Sequence, residues 1–307
     1  MKFTCHSFLR AALLFFVASV APSVAQTPPA ANEDIFAVDV VVSGGKLEFG
    51  QPVNITGHAG YDNQPSFLPD GQSLLYTSAR EGDQTDIYRY DFKTKQAARL
   101  TVTPESEYSP TVMPGGKFFS VIRVEADKTQ RLWKFPLAGG APALVLPNIK
   151  PVGYHLWLDA RTLALFVLGG EGRPNTLQLA PTDNSFLDTI HVNIGRALHL
   201  VPRRQAFSFV HKISPDEWLI KAFDLKTHRS AVIARTLSGS EDLAWMPDGT
   251  ILMAQDSKLY QLDPAATAPD WRLVADFSAA GLKKITRRAL SPKADRLALV
   301  AQSGATQ

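Results

Sequence analysis

A turn of the form Pro-Asp-Gly, set between two apolar stretches, recurs along this chain with a period that constrains the fold more than any other feature. It stands as Pro69, Asp70, Gly71 and again as Pro247, Asp248, Gly249, with Pro114, Gly115, Gly116 between them. Degenerate copies occur at Asp159, Ala160, Arg161, at Pro202, Arg203, Arg204 and at Pro292, Lys293, Ala294. The middle residues Asp70, Gly115, Ala160, Arg203, Asp248 and Lys293 are separated by 45, 45, 43, 45 and 45 residues. A regular period of this length marks a repeat architecture, in which each unit buries its apolar faces only against its neighbours. After every turn comes a strand-like apolar run: Leu74–Thr77, Phe118–Ile122, Leu163–Val167, Ala206–Val210, Ile251–Ala254 and Leu297–Val300. Such runs suit strands packed on both faces.

A second signature supplies the next strand of each unit. Asp86, Ile87, Tyr88, Arg89, Tyr90, Asp91 alternates in character and closes on an acidic turn residue. Asp34–Asp39 repeats it almost position for position, and Leu259–Asp263 and Leu132–Pro136 are related copies. Outer strands are expected at Arg99–Val102, Leu144–Leu146 and Val232–Ala234. Four strands per period is the size of one propeller blade. The last unit has only two strands, near Ala289–Leu290 and Leu297–Val300, while the N-terminus begins with a third strand, Ile35–Val40, and a fourth, Val53–Thr56. The expected fold is therefore all-β: a six-bladed β-propeller of four-stranded blades over residues 33–307, closed by pairing the N-terminal strands with the C-terminal half-blade. Such closure removes the open edges that two half-blades would expose.

Pro65 with Pro69–Gly71 and Asp86–Asp91, and Trp245 with Pro247–Gly249, resemble the WD40-like repeat of TolB-type propellers, also seen in the propellers of prolyl-oligopeptidase-like peptidases. The resemblance spans nearly the whole chain beyond its leader and implies a propeller fold. TolB-type proteins carry an additional N-terminal α/β domain that binds partners, for which the stretch before the first full repeat leaves no room. The peptidases keep their catalytic groups in a separate hydrolase domain that this length also excludes, and no Gly-x-Ser-x-Gly elbow occurs.

Residues 1–25 read as an export signal, with Lys2 and Arg10 flanking an apolar run from Ala11 to Val20 and a small-residue cleavage site at Ser23, Val24, Ala25. Residues 26–32, rich in Pro and Ala, read as a disordered leader. The apolar run falls short of the roughly 20 residues a spanning helix needs, so no stable membrane insertion is expected. A periplasmic or secreted protein follows. The single cysteine, Cys5, leaves with the signal, as do two of the 32 basic residues, so 30 remain against 29 acidic ones. That balance argues against a nucleic-acid partner, which selects for a basic stripe.

In a propeller the residues entering each innermost strand gather around the channel mouth, so equivalent positions one period apart form a ring. Counted back from the turns, the ring comprises Asn63 and Gln64, Tyr108 and Ser109, Gly153 and Tyr154, Arg196 and Ala197, Glu241 and Asp242, Thr286 and Arg287. Its mixture of aromatic, acidic and guanidinium groups suits a hydrogen-bonding contact surface, and Tyr108, Tyr154, Arg196, Glu241, Asp242 and Arg287 are the candidate partner-binding residues. Pairing of Arg287 with Asp242 across neighbouring blades, or packing of Tyr108 and Tyr154 between blades, is the structural alternative. No catalytic residues are assigned; Glu241 beside Asp242 reads as a pair of turn carboxylates rather than an acid and base. No cofactor or metal is expected either. No two of the six histidines beyond the signal have a local metal spacing, and His155 and His199, 44 residues apart, read as structural or exposed. The cluster Lys283, Lys284, Arg287, Arg288 reads as a solvated face, and the pairs Gly44–Gly45, Gly139–Gly140 and Gly169–Gly170 as turns with positive φ.

These features favour a non-catalytic recognition scaffold that holds an envelope or secreted protein or peptide at the channel mouth. The alternative is a metal-dependent hydrolase or lactonase with its site in the central channel, which predicts carboxylates and amides converging on one ion. A third reading, an inert accessory to an envelope assembly, places the working surface on an outer blade edge.

Overall fold

A computed structural model describes residues 33–303; the export signal and the leader expected over 1–25 and 26–32 lie outside them. The described residues are all-β, with one short 3₁₀ turn at Ser278–Ala280 and no α-helix, hence no helix long and apolar enough to cross a membrane. Four-stranded antiparallel sheets recur along the chain. Each begins with an innermost strand and continues outward by hairpins, as in Ser106–Val112, Phe118–Val124, Gln130–Pro136 and Ala143–Leu144. Further such sheets start at Val152–Trp157, Ile194–Leu200 and Ala244–Trp245. A nine-stranded sheet joins the strands from Tyr61–Phe67 to Gln96–Arg99 with those at the two chain ends. In it, Glu33–Ser43 runs antiparallel to Arg296–Ser303, from Glu33 opposite Gln302 to Asp39 opposite Arg296. Leu282–Leu290 and Val53–Asn54 flank that pair, and a single parallel bridge from Glu33 to Tyr61 leads into the following strands.

The repeated turn does the same job at every copy. In five copies the amide of the last residue of the turn bonds back, as Gly71 N–H to Leu68 O, Gly116 to Met113, Arg204 to Val201, Gly249 to Met246 and Ala294 to Ser291. At the Asp159 copy the carboxylate takes over, accepting from the amides of Arg161 and Thr162. Gly71 and Gly249 sit at φ 69° and 96°, where a Cβ is unfavourable. In the degenerate copies Arg203 and Ala294 hold φ 60° and 55° without that freedom. Spacing thus survives where the glycine does not.

Apolar clusters lie between successive sheets. Ala197, Val210 and Ile220 meet Leu243, Ile251 and Met253 of the next sheet, and Ile35, Ala298 and Val300 meet Leu74, Tyr76 and Tyr88. Two tryptophans two periods apart staple neighbouring sheets in the same way: Trp157 Nε1 donates to Ser120 Oγ and Trp245 Nε1 to Ser208 Oγ, both at 2.9 Å.

The structure corrects several expectations. The outer strand placed at Arg99–Val102 is Gln96–Arg99, because beyond it the Thr101 hydroxyl accepts the Ile87 amide in place of a ladder carbonyl. The outer strand placed at Leu144–Leu146 is Ala143–Leu144, and Leu146 is buried in the core. The first strand continues to Ser43 and returns through Gly44 and Gly45, both at positive φ, as Lys46–Phe49. Gly169 and Gly170 do not take positive φ; a Cβ on Gly169 would lie 1.9 Å from the Arg173 carbonyl oxygen, so close backbone approach is what requires glycine there. The cluster around Lys283 is no uniform solvated face, since Lys283 and Lys284 are exposed but Arg288 is buried.

Candidate functional site at the central cavity

The innermost strands Tyr61–Phe67, Ser106–Val112, Val152–Trp157, Ile194–Leu200, Ala244–Trp245 and Leu282–Leu290 all contribute walls to one cavity of about 750 Å³. The ring positions derived from the repeat lie within these strands rather than in entry loops, except Glu241 and Asp242, which precede theirs. Irregular pairing is the reason. Register shifts fall at Asn63 to Ser66, Tyr108 to Thr111, Val152 to Tyr154, Ile194 to Leu198 and Ile285 to Arg287. An extra residue in a strand bends it and re-aims its side chains. Gln64 and Ser109, one period apart, both take positive φ at their bulges, and Gln64 Oε1 accepts the Ser109 amide at 2.7 Å.

Four of the six candidate residues, Tyr154, Arg196, Asp242 and Arg287, line the cavity and touch one another. Asp242 sits at the centre. Its Oδ2 accepts from Arg196 Nη2 at 2.6 Å and Nε at 3.1 Å, and Arg287 Nη1 lies 3.8 Å from Oδ1. Burial raises the Asp242 pKa, but the Arg196 and Arg287 charges outweigh it and hold the carboxyl down at about 2. Arg287 Nη2 donates to the Tyr154 hydroxyl at 2.9 Å, and its guanidinium lies 5.2 Å from that ring.

The other two candidates stand behind the wall. Glu241 pairs with Arg196 Nη1 at 3.4 Å and Lys212 Nζ at 2.9 Å, and accepts the Arg196 amide. Tyr108 is 7% exposed and packs among Ile122, Leu132, Leu146 and Trp157, so it belongs to the core between two sheets.

Three further residues line the cavity that the sequence reading placed elsewhere, His155 and His199 as structural or exposed and Arg288 on a solvated face. His155 and His199 line the wall, and burial pushes their pKa values down to about 3 and about 4, leaving both neutral near pH 7. His155 Nε2 shares a 2.7 Å hydrogen bond with Ser120 Oγ. Arg288, 6% exposed, donates from Nη1 to the Asp242 carbonyl. The 44-residue interval between the histidines was the signal available; Arg288 had none beyond its neighbour Arg287. Among the described residues no three His, Cys, Asp or Glu side chains gather as metal ligands would, and Asp242 is the sole carboxylate of the cavity wall.

No family model matches the chain. A Tol-Pal system protein TolB of Francisella tularensis subsp. mediasiatica is 33% identical over 84 residues, 25% of this chain. The match covers 19% of that relative, so the chain spans about a fifth of the length of the curated relatives it matches. Among solved structures, a putative TolB from Agrobacterium tumefaciens superposes with a TM-score of 0.67 at 14% identity, covering 90% of this chain and 99% of the other. A gluconolactonase from Xanthomonas campestris gives 0.60 at 9% identity, covering 93% and 99%. Identities this low carry the fold alone, and in fold the chain is an all-β propeller that resembles the TolB-type propellers.

Proposed function

We propose that the protein is an exported propeller of six four-stranded blades that acts as a non-catalytic recognition scaffold, holding an envelope or secreted protein or peptide at the mouth of its cavity. In this reading residues 1–25 direct export to the periplasm or beyond, 26–32 form a leader, and 33–307 form one domain. Three observations support a closed ring of six: the period of the turns, the apolar cluster that joins the last strands to Leu74 and Tyr76, and the Arg287–Tyr154 contact between residues three periods apart. A ring of six places units three apart on opposite sides of its axis.

The recognition reading rests chiefly on the mouth network. Tyr154, Arg196, Asp242 and Arg287 present aromatic, guanidinium and carboxylate groups that are already held by one another. Pre-organised aromatic and arginine side chains of this kind anchor protein interfaces. The curated relatives are named for a Tol-Pal system, which favours an assembly partner. Similarity to a gluconolactonase favours a metal-dependent hydrolase as the second reading. That chemistry asks several carboxylates and amides to converge, whereas the wall carboxylate here, Asp242, is engaged by two arginines.

Affinity capture from envelope extract tests the proposal. The parent is compared with Arg196→Met/Arg287→Met at the mouth and with Val232→Ser on an outer strand, where Val232 is 58% exposed. A partner kept by the parent and the outer variant but lost by a folded mouth variant is expected. Equal capture by all three sinks the reading, and loss confined to Val232→Ser moves the working surface to the outer edge.

A further inference from the structure

Three side chains on the cavity wall keep hydrogen-bonding capacity that the other described residues do not use. Asp242 Oδ2 takes both Arg196 bonds, so Oδ1 accepts none among the described residues. Arg287 gives Nη2 to the Tyr154 hydroxyl, and its Nη1 lies 3.8 Å from Asp242 Oδ1, beyond hydrogen-bond range. Unlike the unmet donors of Arg288, these two atoms are not sealed from the cavity, and the Arg287 and Asp242 side chains are 14% and 12% exposed. His199, part-exposed on the same wall, makes no hydrogen bond from its ring among the described residues and lies within electrostatic reach of Asp242.

The charges restrict what can fill the gap between Oδ1 and Nη1. Asp242 is ionised near neutral pH, so an anionic group brought against Oδ1 meets a like charge, while an ammonium meets Arg196 and Arg287. A neutral group that donates to Oδ1 and accepts from Nη1 matches the pair. A hydroxyl does both, and it keeps both bonds when it takes the place of solvent. Neutral His199 repeats the pattern with one ring N–H and one bare nitrogen. A carboxamide brings a single donor and acceptor at one end, whereas a sugar carries several hydroxyls around a ring, and two separate pairs on the wall favour the sugar. Trp245, pinned through Nε1 to Ser208, lends the wall an aromatic surface for the apolar carbon face of such a ring. The volume of about 750 Å³ falls within the range of small-molecule sites.

We propose that the central cavity is a binding site for a neutral sugar, whose hydroxyls bridge Arg287 Nη1 to Asp242 Oδ1 and meet the His199 ring. The site does not rest on a protein partner at the mouth.

Ligand-observed NMR titration of the purified protein with glucose, galactose and mannose, beside propionamide and succinate at matched ionic strength, tests it. Saturable binding of at least one sugar, tighter than either comparison compound, is expected. For that sugar Arg287→Met should weaken affinity about tenfold, since a hydrogen bond to a charged group is lost, and His199→Leu about threefold or more. Lys284→Met, at an exposed position, should bind as the parent does. The His199 ring holds no hydrogen bond among the described residues, so His199→Leu should fold and decides the question should Arg287→Met fail to. The assignment is overturned if no sugar saturates up to about 50 mM, or if propionamide or succinate binds more tightly than every sugar. It is equally overturned if either Arg287→Met or His199→Leu binds as the parent does, or if Lys284→Met loses as much affinity as they do.

Discussion

Replacing Asp242 with Asn removes the negative charge at the centre of the cavity network while keeping its shape, and the consequence for stability can be worked from its pKa. The carboxyl titrates near 3.8 when unperturbed and at about 2 in the folded protein. A tenfold change in proton affinity corresponds to about 1.36 kcal/mol, so the ionised form contributes on the order of 2 kcal/mol to the folded state. Because the folded pKa is depressed, that contribution is complete above about pH 4 and is lost as pH falls from there towards 2. Burial of Asp242 limits screening, so moderate salt should change the figure little. Asp242→Asn is therefore expected to lower stability at pH 7 by about 2 kcal/mol, a fall in Tm of roughly 4–8 °C for a chain of this size. Denaturation followed by tryptophan fluorescence at pH 7, 4 and 2.5 provides the assay. The gap between variant and parent should be similar at pH 7 and 4 and narrow at 2.5. A variant as stable as the parent at pH 7, or a gap that persists undiminished at 2.5, would refute the assignment of Asp242 as the charge that holds Arg196 and Arg287 in place.

Glu107 has the opposite sign: burial raises its pKa to about 7 from 4.5, so its ionisation erodes stability as pH climbs through that interval. Glu107→Gln should raise Tm at pH 8 but not at pH 4, by at most about 3 kcal/mol in stability; calorimetry at the two pH values checks it, and equal effects at both count against it. Trp245→Phe deletes the donor to Ser208 Oγ and should cost about 1 kcal/mol, most of it coupled to Ser208 in a double-mutant cycle with Ser208→Ala. Turn substitutions should differ in sign: Gly249→Ala, at φ 96°, loses about 1–2 kcal/mol, whereas Ala294→Gly, at φ 55°, is neutral or stabilising because relief of left-handed strain offsets the added chain entropy. Chemical denaturation of both variants shows whether the backbone or the residue type governs these turns.

The repeat was legible because turns and strands are local. A turn asks for small or left-handed residues at set offsets, and a strand buried on both faces asks for an apolar run, so the middle strands around Leu74, Phe118, Leu163, Ala206, Ile251 and Leu297 could be placed by counting. Counting also brought Tyr154, Arg196, Asp242 and Arg287 into one candidate group, since equivalent positions in a repeat share an environment. What counting could not assign is the direction of a side chain at a bulge, where one added residue turns the strand and exchanges cavity for core. Tyr108 went into the core beside Trp157, while Glu241, ahead of its strand rather than at a bulge, went behind Arg196.

Burial at the cavity is likewise a product of the assembled structure. Arg287 and Arg288 are adjacent and chemically identical in the chain, yet one reaches Tyr154 and the other is buried against the Asp242 carbonyl with two donors unmet among the described residues. Nothing in their local sequence separates them, because the difference lies in partners 46 and 133 residues away. Period, strands and the chemical inventory of the innermost positions are local properties and could be read along the chain. Which of those groups share a low-dielectric cavity, and so which charges must find partners there, depends on segments that meet only once the blades have packed.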